Sequence, residues 1–212
     1  MFLVIPTTAK ESSIVFSKNQ EATKKIALTF DDGPHPRYTE RILNILDKYK
    51  VKATFFVIGV NIENYPEPLK KIVDSGHEIG NHSYDHNNEK NLSEYNVREE
   101  IEKCEKLIYE SVGKKPTLFR PPQGQYGDKV EKIAREKGYS IILWSIDTKD
   151  WEHNSAKKIE SIVSRQATNG DIILMHDYTS GKNTTCEALE MIIPNLLSKG
   201  YEFVTVSDLI GK

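Results

Sequence analysis

Lys25-Ile26-Ala27-Leu28-Thr29-Phe30-Asp31-Asp32-Gly33-Pro34 is a short apolar strand that runs straight into two adjacent carboxylates and a Gly-Pro turn. Two neighbouring acids at a strand end point to chemistry more than to packing. Further on, His82-Ser83-Tyr84-Asp85-His86 supplies two imidazoles four positions apart. One of the aspartates and both histidines can therefore close a three-ligand metal site with open positions, the signature of a hydrolase.

Outward from that strand, apolar runs recur at 26–30, 53–58, 78–81, 118–120, 140–146, 172–175 and 203–206, which predicts seven strands. Between them apolar residues fall at helical spacing, as in Ile42, Ile45, Leu46 and Tyr49, or Val97, Ile101, Cys104, Leu107 and Ile108. This alternation, with near-continuous apolar strands such as 141–144, predicts a parallel sheet covered by helices and closed into an α/β barrel. Thr39, Ser93 and Ser155 are the expected helix N-caps, and Gly76, Gly138 and Gly200 the expected stops. The segments bearing acids and histidines all fall at the C-terminal ends of predicted strands, where barrel enzymes build their sites.

A chain of 212 residues suffices for one domain with a full core. Its 29 lysines and arginines against 31 acids, a net charge of −2, supply no broad basic surface and exclude nucleic acid as a partner. Cys104 and Cys186 lack CxxC or His-flanked spacing and read as buried thiols. The apolar run Met1–Pro6 is too short to span a bilayer; a trimmed export signal, an alternative start and an N-terminal strand all fit it.

Five ordered blocks carry a resemblance: Thr29-Phe30-Asp31-Asp32-Gly33, His82-Ser83-Tyr84-Asp85-His86, Arg120-Pro121-Pro122-Gln123-Gly124, Asp147-Thr148-Lys149-Asp150-Trp151 and Leu174-Met175-His176. Together they resemble the polysaccharide deacetylases, the NodB homology domain of carbohydrate esterase family 4, over residues 24–212, with 1–23 as an N-terminal extension. The resemblance implies a single NodB-like domain, a distorted (β/α)7 barrel, and a metal-dependent hydrolase. On Ile79-Gly80-Asn81-His82-Ser83 and Ile173-Leu174-Met175-His176-Asp177 it is most similar to bacterial peptidoglycan N-acetylglucosamine deacetylases.

Roles follow from the resemblance residue by residue. Asp32, His82 and His86 are implied to hold a divalent ion, zinc or cobalt. Asp31 is implied as general base with Arg120 as its partner, and His176 as general acid with Asp150 raising its proton affinity. Leu174 and Trp151 are implied to border the acetyl methyl group, and the backbone N–H of Gln123 to face the developing oxyanion. Gln123 departs from the family, which usually has an aromatic residue there; the backbone donor is kept and the sugar-stacking face is lost, with Tyr126 as a nearby substitute. His35 and His77 read as structural.

Chitooligosaccharide N-deacetylation and acetylxylan O-deacetylation fit the same blocks. A glycosidase built on Asp31 and Asp147 is the rival chemistry, and it leaves Asp32, His82 and His86 without a role. A glycan-binding module without turnover is the non-enzymatic rival. The expected partner is a cell-wall polysaccharide, with no protein partner implied and a monomer expected. Such a substrate places the working enzyme outside the membrane, secreted or associated with the cell wall.

Overall fold

The computed structural model describes residues 13–87, 91–179, 181 and 183–212; Met1–Pro6 lies outside them. In chain order the described elements are β1 (Val15–Phe16), β2 (Lys25–Gly33), α1 (Tyr38–Tyr49), β3 (Thr54–Val57), α2 (Gly59–Asn64), α3 (Pro66–Asp74), β4 (Glu78–Asn81), α4 (Glu94–Val112), β5 (Leu118–Phe119), α5 (Asp128–Lys137), β6 (Ser140–Ile142), β7 (Ile146–Asp147), α6 (Ala156–Gln166), β8 (Ile172–His176), α7 (Thr185–Ser198), β9 (Glu202–Phe203) and α8 (Val206–Ile210). The strands pair in parallel in the order β1-β6-β5-β4-β3-β2-β8-β7, with β9 added to β2. This is a curled half-barrel of parallel strands with surrounding helices: the layering is the one the alternation predicts, while among the described residues the margins β1 and β7 do not pair with each other.

Period-two alternation sorts the longest strand. Ile26, Leu28 and Phe30 of β2 pack outward into the core shared with α1, α3, α6 and α7, while Ala27, Thr29 and Asp31 face the inside of the curl. A second apolar cluster fills that inside, where Ala27, Phe56, Leu118, Ile142 and Ile172 meet Val206 and Leu209 of α8. Cys104 and Cys186 are both buried in the outer core. No helix of the described residues is long and apolar enough to cross a membrane.

Three local expectations are corrected. The run 140–146 is not one strand: Leu143 N–H donates to Phe16 (2.7 Å) beside β6, and Ser145 N–H donates to Ile172 (3.0 Å) beside β7. One stretch of chain thus serves both margins of the sheet, and the partner exchange breaks the strand. The run 203–206 yields only a two-residue strand, because the Thr205 hydroxyl caps α8 by accepting from Asp208 N–H (3.2 Å). Ser93 and Ser155 do cap α4 and α6, but Thr39 lies inside α1 and its hydroxyl bonds to Asp177 instead. Val15–Phe16, too short to show a period, adds an edge strand beside β6.

Candidate active site

A regular strand would send Asp31 and Asp32 to opposite faces. Asp32 instead has φ of 73°, and the β2–β3 register shifts between Asp31 and Gly33. The alternation breaks there, so both carboxylates line one cavity. Left-handed backbone is unfavourable for a non-glycine residue and persists where its surroundings hold it. Here the Asn61 amide donates to the Asp32 carbonyl at 2.8 Å. Gly33 follows of necessity, since a Cβ at that position would run into the Asp177 carboxylate.

β4 delivers the histidines. Glu100 of α4 accepts from the N–H groups of Tyr84 (3.1 Å) and Asp85 (3.0 Å), folding the loop so that His86 returns beside His82. His82 Nδ1 lies 2.7 Å from the Arg120 carbonyl, an acceptor only, so that nitrogen carries the proton and Nε2 presents its lone pair to the acids. Burial lowers the His82 pKa against the pull of Asp31 and Asp32, which keeps the imidazole neutral and able to ligate. Asp32 Oδ1 stands 3.5 Å from His82 Nε2 and 3.4 Å from His86 Nε2. It is itself buried without a hydrogen-bond partner. An orphaned carboxylate oxygen facing two imidazole nitrogens, with all three donor atoms within 4.8 Å of one another, fits a divalent cation. Such an ion, when bound, polarises a carbonyl oxygen and acidifies water.

Asp31 is tied differently. Its Oδ1 accepts from Arg120 at 2.6 Å, and both side chains are essentially without solvent exposure. Arg120 also donates to Thr29 Oγ1 (2.8 Å) and to the carbonyls of Ile142 (3.2 Å) and Leu143 (3.1 Å), and its guanidinium lies 4.0 Å from the centre of the Phe56 ring. The guanidinium is thus fixed on all sides and orients Asp31, with Oδ2 directed at the cavity 3.6 Å from His82 Nε2.

On the adjacent strand β8, in register with Asp31, His176 places Nδ1 2.8 Å from Asp150 Oδ1. The other Asp150 oxygen accepts from His176 N–H and from Thr185 Oγ1, each at 2.8 Å. Burial disfavours the imidazolium, but the Asp150 hydrogen bond and charge, with Asp32 and Asp31 beyond, outweigh it and raise the His176 pKa to about 9. His176 is therefore a protonated donor at neutral pH. The next residue, Asp177, is wholly buried; burial, reinforced by Asp32 and Asp31, pushes its carboxyl up to about 7 against the Thr39 hydrogen bond.

The remaining walls of this cavity of about 520 Å³ are Gln123, Trp144, Asp147, Trp151 and Leu174. Leu174 is buried and Trp151 half exposed. Tyr126 does not replace the missing aromatic, because it packs into the core under α4 and α5. Trp144 does line the cavity: a Cβ on Gly124 would lie 2.8 Å from its ring. Trp144 and Thr185 are the contributors that sequence reading missed. Trp144 ended an apolar run, and Thr185 gave no local signal.

The polysaccharide deacetylase family model matches residues 18–142. A peptidoglycan-N-acetylglucosamine deacetylase of Bacillus cereus is 43% identical over 189 residues, covering 88% of each chain. This chain belongs to the polysaccharide deacetylase family. The crystal structure of the Bc1960 peptidoglycan N-acetylglucosamine deacetylase, bound to a naphthyl N-hydroxybenzamide, superposes with a TM-score of 0.89 at 38% identity, covering 92% of this chain and 91% of that one. A family 4 acetyl xylan esterase from Clostridium thermocellum with a bound cobalt ion superposes with a TM-score of 0.81 at 36% identity, covering 88% and 90%. The chain spans less than half the length of several other curated deacetylases it matches. The polysaccharide deacetylases are hydrolases, and the five blocks of the sequence converge on one hydrolytic site.

Proposed function

We propose that this chain hydrolyses the acetamide of N-acetylglucosamine residues in peptidoglycan, releasing acetate and leaving glucosamine. The observation that carries the reading is that a carboxylate held by Arg120 and an imidazole held by Asp150 end adjacent strands of the sheet and line one cavity with the three divalent-ion donors. Water attacks the acetyl carbonyl carbon as Asp31, held by Arg120, takes its proton. The C–N bond then breaks as His176, held by Asp150, delivers a proton to the departing nitrogen. Leu174 closes the cavity around the methyl group and excludes longer acyl chains. Asp32, His82 and His86 suit zinc or cobalt, whose preferences include mixed nitrogen and oxygen donors. A wall polymer as substrate calls for a working place outside the membrane.

The test is acetate release from N-acetylglucosamine oligomers and from purified peptidoglycan, with chelator, with zinc or cobalt restored, and with an Asp31→Asn control. Chelator-sensitive release that zinc or cobalt restores and Asp31→Asn abolishes is the expected result. Release from acetylated xylan alone moves the assignment to the ester; no release from any of the three, with metal bound, sinks it.

A further inference from the structure

His35, which reads as structural in the sequence, belongs to a group of rings on the same rim as the catalytic residues. It stacks on Tyr178 with centroids 5.0 Å apart and planes 8° apart, with Tyr38 at 4.9 Å and Tyr65 at 6.1 Å. We propose that Tyr178, His35 and Tyr65 form a sugar-stacking platform that takes the glycan residue next to the one being deacetylated. This deepens the deacetylase reading and rests on it for the direction of the glycan.

Position is the first argument. Tyr178 lies two residues beyond His176, so their Cα atoms are at most roughly 7 Å apart, and His35 lies three beyond Asp32, at most roughly 11 Å. Trp151 follows β7, Tyr178 follows β8, His35 follows β2 and Tyr65 ends α2 after β3, and these four strands are consecutive neighbours in the sheet. The rings therefore continue the rim of the cavity in one arc. Tyr178 and Tyr65 are each 40% exposed and Trp151 is 49% exposed, and unlike the scattered Tyr95 and Tyr109 of α4 they follow neighbouring strands of the sheet.

Rigidity is the second argument. His35 Nδ1 accepts from the N–H groups of Arg37 (3.2 Å) and Tyr38 (3.3 Å), which fixes its ring. His35 N–H donates to Thr39 Oγ1 (2.8 Å), and that hydroxyl donates to the carboxylate of Asp177, the residue before Tyr178. The misassigned cap Thr39 thus ties the two stacked loops together. A pre-ordered aromatic face loses little entropy on binding, and its negative π-surface attracts the polarised C–H face of a pyranose. It also supplies, on the far side of the site, the stacking surface absent at Gln123.

The experiment is calorimetric titration of the zinc-loaded Asp31→Asn protein, which leaves substrate intact, with the N-acetylglucosamine tetramer. Adding Tyr178→Ala is expected to weaken binding roughly three- to tenfold, Tyr65→Ala less, and Tyr178→Phe to restore it. Unchanged affinity in Tyr178→Ala, or no tetramer binding by the parent, overturns the platform. So does a Tyr178→Ala enzyme with Asp31 intact whose only change is a shifted alkaline limb, since that marks a disturbed His176. Tyr178-dependent binding without acetate release from the unaltered protein would leave the platform standing and defeat the deacetylase reading.

Discussion

Charge is handled in two ways in this molecule. In the helical shell, Lys48–Glu190, Lys71–Glu40 and Lys50–Asp47 pair at 2.5 to 2.9 Å with side chains between 39% and 77% exposed. Inside the barrel, Arg120 and Asp31 pair at 2.6 Å with 0% and 4% exposure. Distance alone does not separate them; water does. Exposed pairs of this kind contribute about 0–1 kcal/mol each. A buried pair contributes little net stability yet becomes very costly when one partner is lost. The shell spends its charges on solubility, and the interior keeps one where a reaction needs it.

The sharpest way to break that comparison is to remove function without removing support. Asp32→Ala, or chelation, is expected to lower acetate release by roughly a thousandfold or more. The melting temperature of the metal-free protein should stay level or rise, because Asp32 Oδ1 is buried without a partner. A melting temperature that drops steeply would mean Asp32 is structural.

Arg120→Leu should remove support as well as function, costing about 3–5 kcal/mol in urea unfolding because Asp31 and the Ile142 and Leu143 carbonyls lose their donor. A loss below about 1 kcal/mol would place this pair with those of the shell.

A subtler effect comes from His176. Its folded pKa, about 9, lies above the ordinary histidine value of 6.5, so its stabilising contribution is complete below the lower value and disappears as pH rises through the upper one. Thermal melts of chelated protein should show stability declining between those limits, and Asp150→Asn should flatten that decline. Equal slopes in both proteins would deny the His176–Asp150 pair any linkage to folding.

Least of all should follow from Lys48→Ala, with no resolvable change in the same unfolding assay and no effect on acetate release. A larger loss would give the shell an energetic role that its exposure denies.

What could be seen in the sequence was whatever is local. Asp31, Asp32, His82 and His86 announce themselves through spacing, whereas His176, a lone histidine at an apolar strand end, stands out only through the resemblance. The strands that pair along their length were legible for the same reason. Thr185 holds Asp150 from 35 positions away, and Thr39 reaches Asp177 across 138, so neither residue had a nearby pattern to betray it. The break in 140–146 was hidden because both halves are apolar; only the change of neighbour divides them. Trp144 looked like core for that reason as well.

One consequence of the seam at Leu143 reaches beyond the chemistry. Arg120 grips the carbonyls of the segment that joins the sheet's two margins and, with the same guanidinium, the carboxylate that takes the proton. One side chain therefore braces the joining segment and orients the base together. A chain in which that segment is out of place has no tethered Asp31, so turnover itself becomes a gauge of correct assembly.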